Sequence, residues 1–272
     1  MSLAETLNRQ RFAGWRPSLP STQSLLPYAV PAVLLLIWEL AGVTGYLSDT
    51  VMPRPSTILA TGVRMIASGE LVNHLGVSAA RALAGLVVGG GIGFALGVAN
   101  GVSRRSELLT DTTLQMVRNI PHLALIPLVI LWFGIGEGAK LFLVALGVFF
   151  PIYLNTLHGI RNVDPQLIEM GRAYGMNGRT LFRRVVLPGA LPSIFVGLRY
   201  GLGIMWLTLI VAETLSASSG LGYMAMQARE FMVLDVVVLA ILLYAALGKL
   251  ADTLTRVLER RVLKWSPAYA NH

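Results

Sequence analysis

Apolar and polar stretches alternate along the chain with a long period. Apolar runs occupy approximately residues 25–47, 82–102, 114–133, 139–157, 191–212 and 233–254. Each approaches the roughly 20 residues that an α-helix needs to cross the hydrocarbon of a bilayer. The pattern predicts an all-α membrane protein with six transmembrane helices. The first run is too long for the apolar part of a signal peptide and reads as a retained span. Arg118, Asn119, Pro121 and His122 interrupt the third run, which is the least regular of the six. Pro121, Pro127 and Pro151 predict kinks, because each removes a helical N–H.

The connecting stretches carry structure of their own. After the proline-fixed MPRP turn, Ser56 is a candidate N-cap, and residues 57–68 and 70–81 read as short amphipathic helices along the membrane surface. Residues 216–231 read as a turn followed by a short helix. The last run continues as a basic amphipathic helix. Inside the second run, Gly85, Gly89, Gly93, Gly97 and Gly101 recur every four residues, and Gly197 and Gly201 repeat the spacing in the fifth. Such a stripe lets another helix backbone approach closely. It serves packing within one subunit or between two, and glycine is also common in membrane helices generally.

Composition supports a membrane protein: 54% of residues are hydrophobic and 13% charged, against about 25% charged in a soluble domain. The mean hydropathy is +0.65. A net charge of +8 would suit nucleic acid, but in so apolar a chain it reflects Lys and Arg held on the cytoplasmic side, with no nucleic-acid partner. With the N-terminus inside, fourteen Lys and Arg fall in inside segments, five (Arg54, Arg64, Arg81, Lys140, Arg229) in outside segments, and three within or at the ends of spans. The expected topology is N-in/C-in. Cytoplasmic tails at 1–24 and 259–272 flank a transmembrane domain at 25–258. There is no cysteine, hence no disulfide or thiolate chemistry. The motifs G-x-x-x-x-G-K-[ST], H-E-x-x-H and G-x-S-x-G are absent, and His74, His122, His158 and His272 are scattered. No catalytic, cofactor or metal site is expected. Any work is driven by another chain or an ion gradient.

One polar segment stands out between apolar runs: EMGRAYGMNGRTLFRRVVLP, residues 169–188. Asp164 is a natural N-cap and Pro165 a natural first residue for a helix there. That helix presents Leu167, Met170 and Tyr174 in one band, while Gly171 and Gly175 leave a shallow surface. Gly178 is expected to end it, and a second short helix to lead into a turn at Pro188. Such a helix can seat in a partner's groove. Equally, it can lie on anionic lipid, held by Arg172, Arg179, Arg183 and Arg184.

The spacing E-x-G-x-x-x-G, nine residues, V-x-L-P, carried by Glu169, Gly171, Gly175, Val185, Leu187 and Pro188, resembles the EAA motif of binding-protein-dependent ABC importer permeases. Met170 and Gly171 stand where that family usually has two alanines, so small size is kept only at the second of them. Asp111–Lys140, Phe149–Pro165 and Leu209–Tyr223 are similar to the nitrate, taurine and sulfonate branch. RNIPHLALIPLVILWFGI, PGALPSIFVGLRYGLGIMWLTLIVAET and the terminal WSPAY look most like its aliphatic-sulfonate members. The resemblance implies a type I importer permease (MetI-like) fold in the bacterial inner membrane. It implies a coupling helix at about 165–184, with Glu169, Met170, Gly171, Ala173, Tyr174, Gly175, Leu187 and Pro188 in the ATPase-coupling segment. It also implies two copies of an ATPase that bind ATP and Mg, a second copy of this chain, and a periplasmic or lipid-anchored substrate-binding protein. The implied cargo is an aliphatic sulfonate, with taurine, nitrate or another small anion as the alternative. A gradient-driven carrier would instead need inverted repeats with broken helices, which the sequence does not display. A passive scaffold would need none of the motif.

Ionisable residues inside spans are functional candidates. A sulfonate is a permanent anion, and an Arg fork suits it. Arg118, with Asn119 and His122, and Arg199 are the candidate substrate-pathway residues, together with Trp206 and Glu213. Against this, Arg199 also suits a structural pair with Glu213 or Glu39, Trp206 suits packing, and Glu213 suits a contact at the outer mouth or a helix cap.

Overall fold

A computed structural model describes residues 22–48, 50–216 and 218–265. The expected N-terminal tail up to residue 21 and the C-terminal tail from 266 lie outside the described residues. Two compact units divide the chain, Met1–Ser56 and Thr57–His272. Among the described residues every regular element is helical.

The first unit contains α1 (Thr22–Val43). Its 22 residues hold most of the first apolar run, which begins at Leu25. Ser56 is not an N-cap as expected. The next helix, α2 (Pro55–Ala67), already begins at Pro55, and Ser56 donates from its hydroxyl and its amide to Glu39, at 2.7 and 3.0 Å.

The second unit is built around α3 (Glu70–Val102), α6 (Glu137–Arg161), α8 (Gly178–Leu215) and α10 (Leu234–Val262), each long and apolar enough to cross a membrane. A surface helix at 70–81 and a separate span from 82 were expected. They are one helix, with a single wider π-turn at Leu86–Gly90. Nothing in the sequence of 70–85 breaks the hydrogen-bond ladder. A fifth crossing is counted if α4 (Arg104–Arg118) and the helical segment His122–Phe133, which ends in α5 (Ile126–Phe133), are taken together; they meet at a bend of 80°. Pro121 sits at that bend in extended backbone, which is the break that the interrupted third run foretold. Pro127 lies in the first turn of α5, a position where its missing N–H costs nothing. Pro151 lies inside the continuous α6. Two shorter helices complete the unit, α7 (Pro165–Ala173) and α9 (Leu221–Glu230).

Helix α6 is the axis. Val144, Val148 and Ile152 pack with Ala82 of α3 and with Met205 and Leu209 of α8. The glycine stripe explains the α3 contact. A Cβ at Gly89 would collide with the Ala145 backbone, and one at Gly93 would lie 2.6 Å from the Phe149 carbonyl oxygen. At Gly97 the corresponding atom is the Tyr153 carbonyl oxygen, 2.8 Å away. From the other side Gly197 of α8 approaches the Pro151 carbonyl as closely, at 2.9 Å. The stripe is spent within one subunit.

Candidate functional site

Three groups of polar residues stand apart in the second unit. The first is the segment at α7. Asp164 caps the helix by accepting from the Gln166 amide at 2.9 Å, with Pro165 in the first turn, as its sequence suggested. The helix ends earlier than expected. Met176 N–H reaches the Gly171 carbonyl at 3.1 Å and Gly175 N–H the Arg172 carbonyl at 2.9 Å. This is a Schellman closure, with Gly175 at φ +75° in the left-handed conformation that it alone tolerates cheaply. Gly178 opens the next helix instead of ending this one, and Asn177 caps that helix on the Thr180 amide.

Gly171 is not part of an open shallow surface. It is buried, and a Cβ there would lie 2.5 Å from Leu181, so the start of α8 packs back on α7 through it. Ile168 faces the same way, into a cluster with Ile160, Val163 and Ala190. The adjacent face carries Leu167, Met170 and Tyr174, exposed by 44%, 50% and 78%. Glu169 and Ala173 are exposed beside them. The expected turn at Pro188 does not form: α8 runs unbroken from Gly178, through a π-turn at Phe182–Val186, past half-buried Leu187 and Pro188. The wider turn ahead of Pro188 shifts the hydrogen-bond register where the proline N–H is missing. The segment is thus one piece with a spanning helix.

The second group lies at the other end of α8 and is buried except for Glu137. Glu213, 1% exposed, accepts from Ser78 and Arg81 at 2.8 Å, and from Tyr244 and the Gly222 amide at 2.9 Å. Arg81 forks onto Glu137 at 2.6 and 2.7 Å and donates to the Ser219 carbonyl at 2.5 Å. Lys140 completes the set on Glu137 at 2.8 Å. Two cations thus balance two anions, and each carboxylate touches more than one helix. The loop preceding α9 is bound in as well: the Gly220 amide donates to His74 Nδ1 and the Leu221 amide to Ser78. A Cβ on Gly220 would strike the Glu213 carboxylate. Arg81, Lys140 and Ser78 were not among the expected site residues. The helical spacing of His74, Ser78 and Arg81 is the signal that marks this face.

The third group lines a cleft of about 350 Å³ beside the 80° bend. Arg118 and His122 line it from the bend, Phe150, Pro151 and Leu154 from α6, and Tyr200 and Ile204 from α8. Asn119 caps the end of α4 and is exposed. His122 Nε2 lies 3.1 Å from the Thr208 hydroxyl. The other pathway candidates do not meet there. Arg199 pairs with Glu259 at 3.5 Å, rather than with Glu213. Trp206 packs edge-on against Tyr244 at 6.2 Å, its indole N–H buried without a partner. No group of His, Asp or Glu among the described residues could hold a metal ion.

Residues 89–264, which include the α7 segment and all of the cleft, match the model of the binding-protein-dependent transport system inner membrane component family. The chain belongs to that family. As a member it is a multi-pass inner-membrane translocation subunit and not an enzyme, and permeases of this family work with an ATPase and a substrate-binding protein. Among curated relatives, the permease protein SsuC of Escherichia coli (strain K12), named for aliphatic sulfonates transport, is 58% identical over 243 residues, 89% of this chain and 92% of that protein. SsuC of Bacillus subtilis (strain 168) is 48% identical over 88% of this chain and 87% of its own length. The taurine transport system permease protein TauC of Escherichia coli (strain K12) is 34% identical over 96% of each. In fold, a solved amino acid ABC transporter superposes with a TM-score of 0.59 at 18% identity, over 75% of this chain and 96% of the other.

Proposed function

We propose that the chain is the permease subunit of an ATP-driven importer for aliphatic sulfonates. The substrate class rests on 58% and 48% identity to two permeases named for that transport, well above the 34% to the taurine permease. The observation that carries the mechanism is the exposed ridge of Leu167, Met170 and Tyr174 on a helix anchored by Ile168 and Gly171. An apolar ridge at helical spacing fits a groove on a partner, and here the partner is the ATPase. Glu169, Ala173 and the Gly175 closure complete the coupling surface, and Leu187 and Pro188 carry the movement along α8.

The subunit sits N-in/C-in, with 1–24 and 259–272 in the cytoplasm, α1 as the first of six spans, and a second copy of the chain and two ATPases completing the assembly. Burial of Arg81 and Lys140 inside helices supports this orientation, since only Arg54, Arg64 and Arg229 then remain as outside cations. Substrate passes Arg118, Asn119 and His122. Arg199, Trp206 and Glu213 act on the pathway through the helices that they tie.

Proteoliposomes holding the chain, its ATPase and a sulfonate-loaded binding protein test the reading. Stimulated ATP hydrolysis and sulfonate uptake are expected, both abolished by Gly175→Asp with the protein still folded. Failure of the wild-type chain to associate with any ATPase overturns it.

A further inference from the structure

We propose that the cleft at the 80° bend is a transient binding site for an amphiphilic anion, taking the sulfonate head at Arg118 and His122 and the alkyl tail along α6 and α8. The proposal rests on the importer reading above and adds to it a site, a pose and a basis for chain-length selection. Four observations carry it.

The first is charge. Two arginines that lie along the spanning helices α3 and α8 are committed: Arg81 to Glu137 and Glu213, and Arg199 to Glu259. Arg118, among the described residues, has no ion-pair partner. A cation held beside an apolar cleft without a carboxylate is a place where a diffusible anion can bind.

The second is position. Phe150 and Pro151 lie near the middle of the 25-residue α6, so the cleft opens at mid-depth in the helix bundle. The third is composition. Around the cationic corner the wall is Phe150, Leu154 and Ile204, which gives an aliphatic tail apolar surface and gives an inorganic anion little. Its volume of about 350 Å³ falls at the lower end of the roughly 300–1,000 Å³ that hold small organic ligands.

The fourth is how the space is kept open. A Cβ on Gly147, at the cleft floor, would lie 3.0 Å from the Thr208 hydroxyl and 3.6 Å from His122 Nε2. The glycine lets the His122–Thr208 pair sit against α6. That pair leaves the imidazole oriented by a hydroxyl and uncommitted to any carboxylate. One Arg and one His make a weak site, which suits a pathway in which the anion must also leave. Tyr200 lies exposed in the same wall.

The test uses the complete transporter in proteoliposomes, with methanesulfonate and octanesulfonate as probes and the same saturating binding protein throughout, so that its own preference cancels between variants. Two quantities are read: uptake, and ATP hydrolysis stimulated by the binding protein. Arg118→Gln is expected to lower uptake of both probes about tenfold or more, the loss of one charge-assisted contact, with stimulated hydrolysis retained. Arg118→Lys recovers part of the uptake. Leu154→Trp, which fills the tail region, is expected to lower octanesulfonate uptake at least tenfold more than methanesulfonate uptake, since each excluded methylene is worth about fourfold. If Arg118→Gln loses hydrolysis as well, or does not fold, the probe ratio in Leu154→Trp decides. An unchanged ratio in Leu154→Trp, or wild-type uptake in Arg118→Gln, overturns the site while leaving the importer reading intact. Absence of stimulated hydrolysis in the wild type overturns both.

Discussion

At the scale of single residues, Arg81 and Glu213 form an ion pair at 2.8 Å that ties several helices together. Both are buried, and the pair is shared with Glu137, Ser78, Tyr244 and the backbone of the following loop. Removing one member of a buried ion pair leaves the other charge uncompensated, which costs about 3–5 kcal/mol, while replacing both by apolar groups of similar volume is often neutral. Arg81→Met is therefore expected to lower the unfolding free energy of the detergent-purified protein by about 3 kcal/mol or more. The double variant Arg81→Met/Glu213→Met is expected to recover part of that loss, which a thermal-unfolding double-mutant cycle reads directly. A strictly additive cycle would mean that the two side chains are not coupled. The spacing of His74, Ser78 and Arg81 was visible in the sequence. That Glu213, 132 residues beyond Arg81, closes the same cluster was not, because only the fold brings α3 and α8 together.

Among the elements, α3 and α7 show how position on a helix decides what a residue type means. Gly89 and Gly91 are two residues apart in α3 and face opposite surroundings. A Cβ on Gly89 enters the Ala145 backbone, whereas one on Gly91 meets nothing within 4 Å. Gly89→Ala is expected to destabilise by about 1–3 kcal/mol through overpacking, and Gly91→Ala to be neutral or stabilising by up to about 1 kcal/mol through helix propensity. Melting temperatures of the two variants in one detergent check the sign of each. In α7 the same logic separates binding from folding. Leu167→Ala and Tyr174→Ala remove exposed ridge atoms and are expected to weaken co-purification with the ATPase at unchanged thermal stability. Ile168→Ala, on the buried face, is expected to lower stability first. If all three variants lower the melting temperature alike, the ridge is a packing surface and not a docking one.

For the whole molecule the question is how it sits in the bilayer and how movement crosses it. Helix α8 starts packed on α7, passes the cleft at Tyr200 and Ile204, and carries Glu213 near its end. One rod thus touches all three polar groups, so under the proposed coupling a pull on α7 would reach the cleft along it. The orientation is directly testable, because the chain has no cysteine of its own. With N-in/C-in topology, Ser68→Cys is expected to react with a membrane-impermeant maleimide in intact cells freed of their outer envelope. Arg172→Cys is expected to react only after the membrane is opened. The reverse labelling pattern would invert the topology and remove α7 from reach of a cytoplasmic ATPase.

The sequence by itself determined the class of protein, the long apolar helices, the break near Pro121 and the cap at Asp164, because each depends on composition, periodicity or a local hydrogen bond. It also carried the motif that marks the α7 segment. The tertiary structure decided what these local rules leave free. It decided that the glycine stripe lies on α6 within one subunit, and that residues 70–102 make one helix. It decided that Gly175 rather than Gly178 ends α7, since the closing bonds run to Gly171 and Arg172 while Gly178 begins the next helix. It also sorted the ionisable residues inside the bundle: Arg199 is paired with Glu259, Arg81 and Glu213 are locked together, and Arg118 is left beside a cleft. A charge's partner is set by which helices pack side by side, and that is long-range information that no local pattern contains.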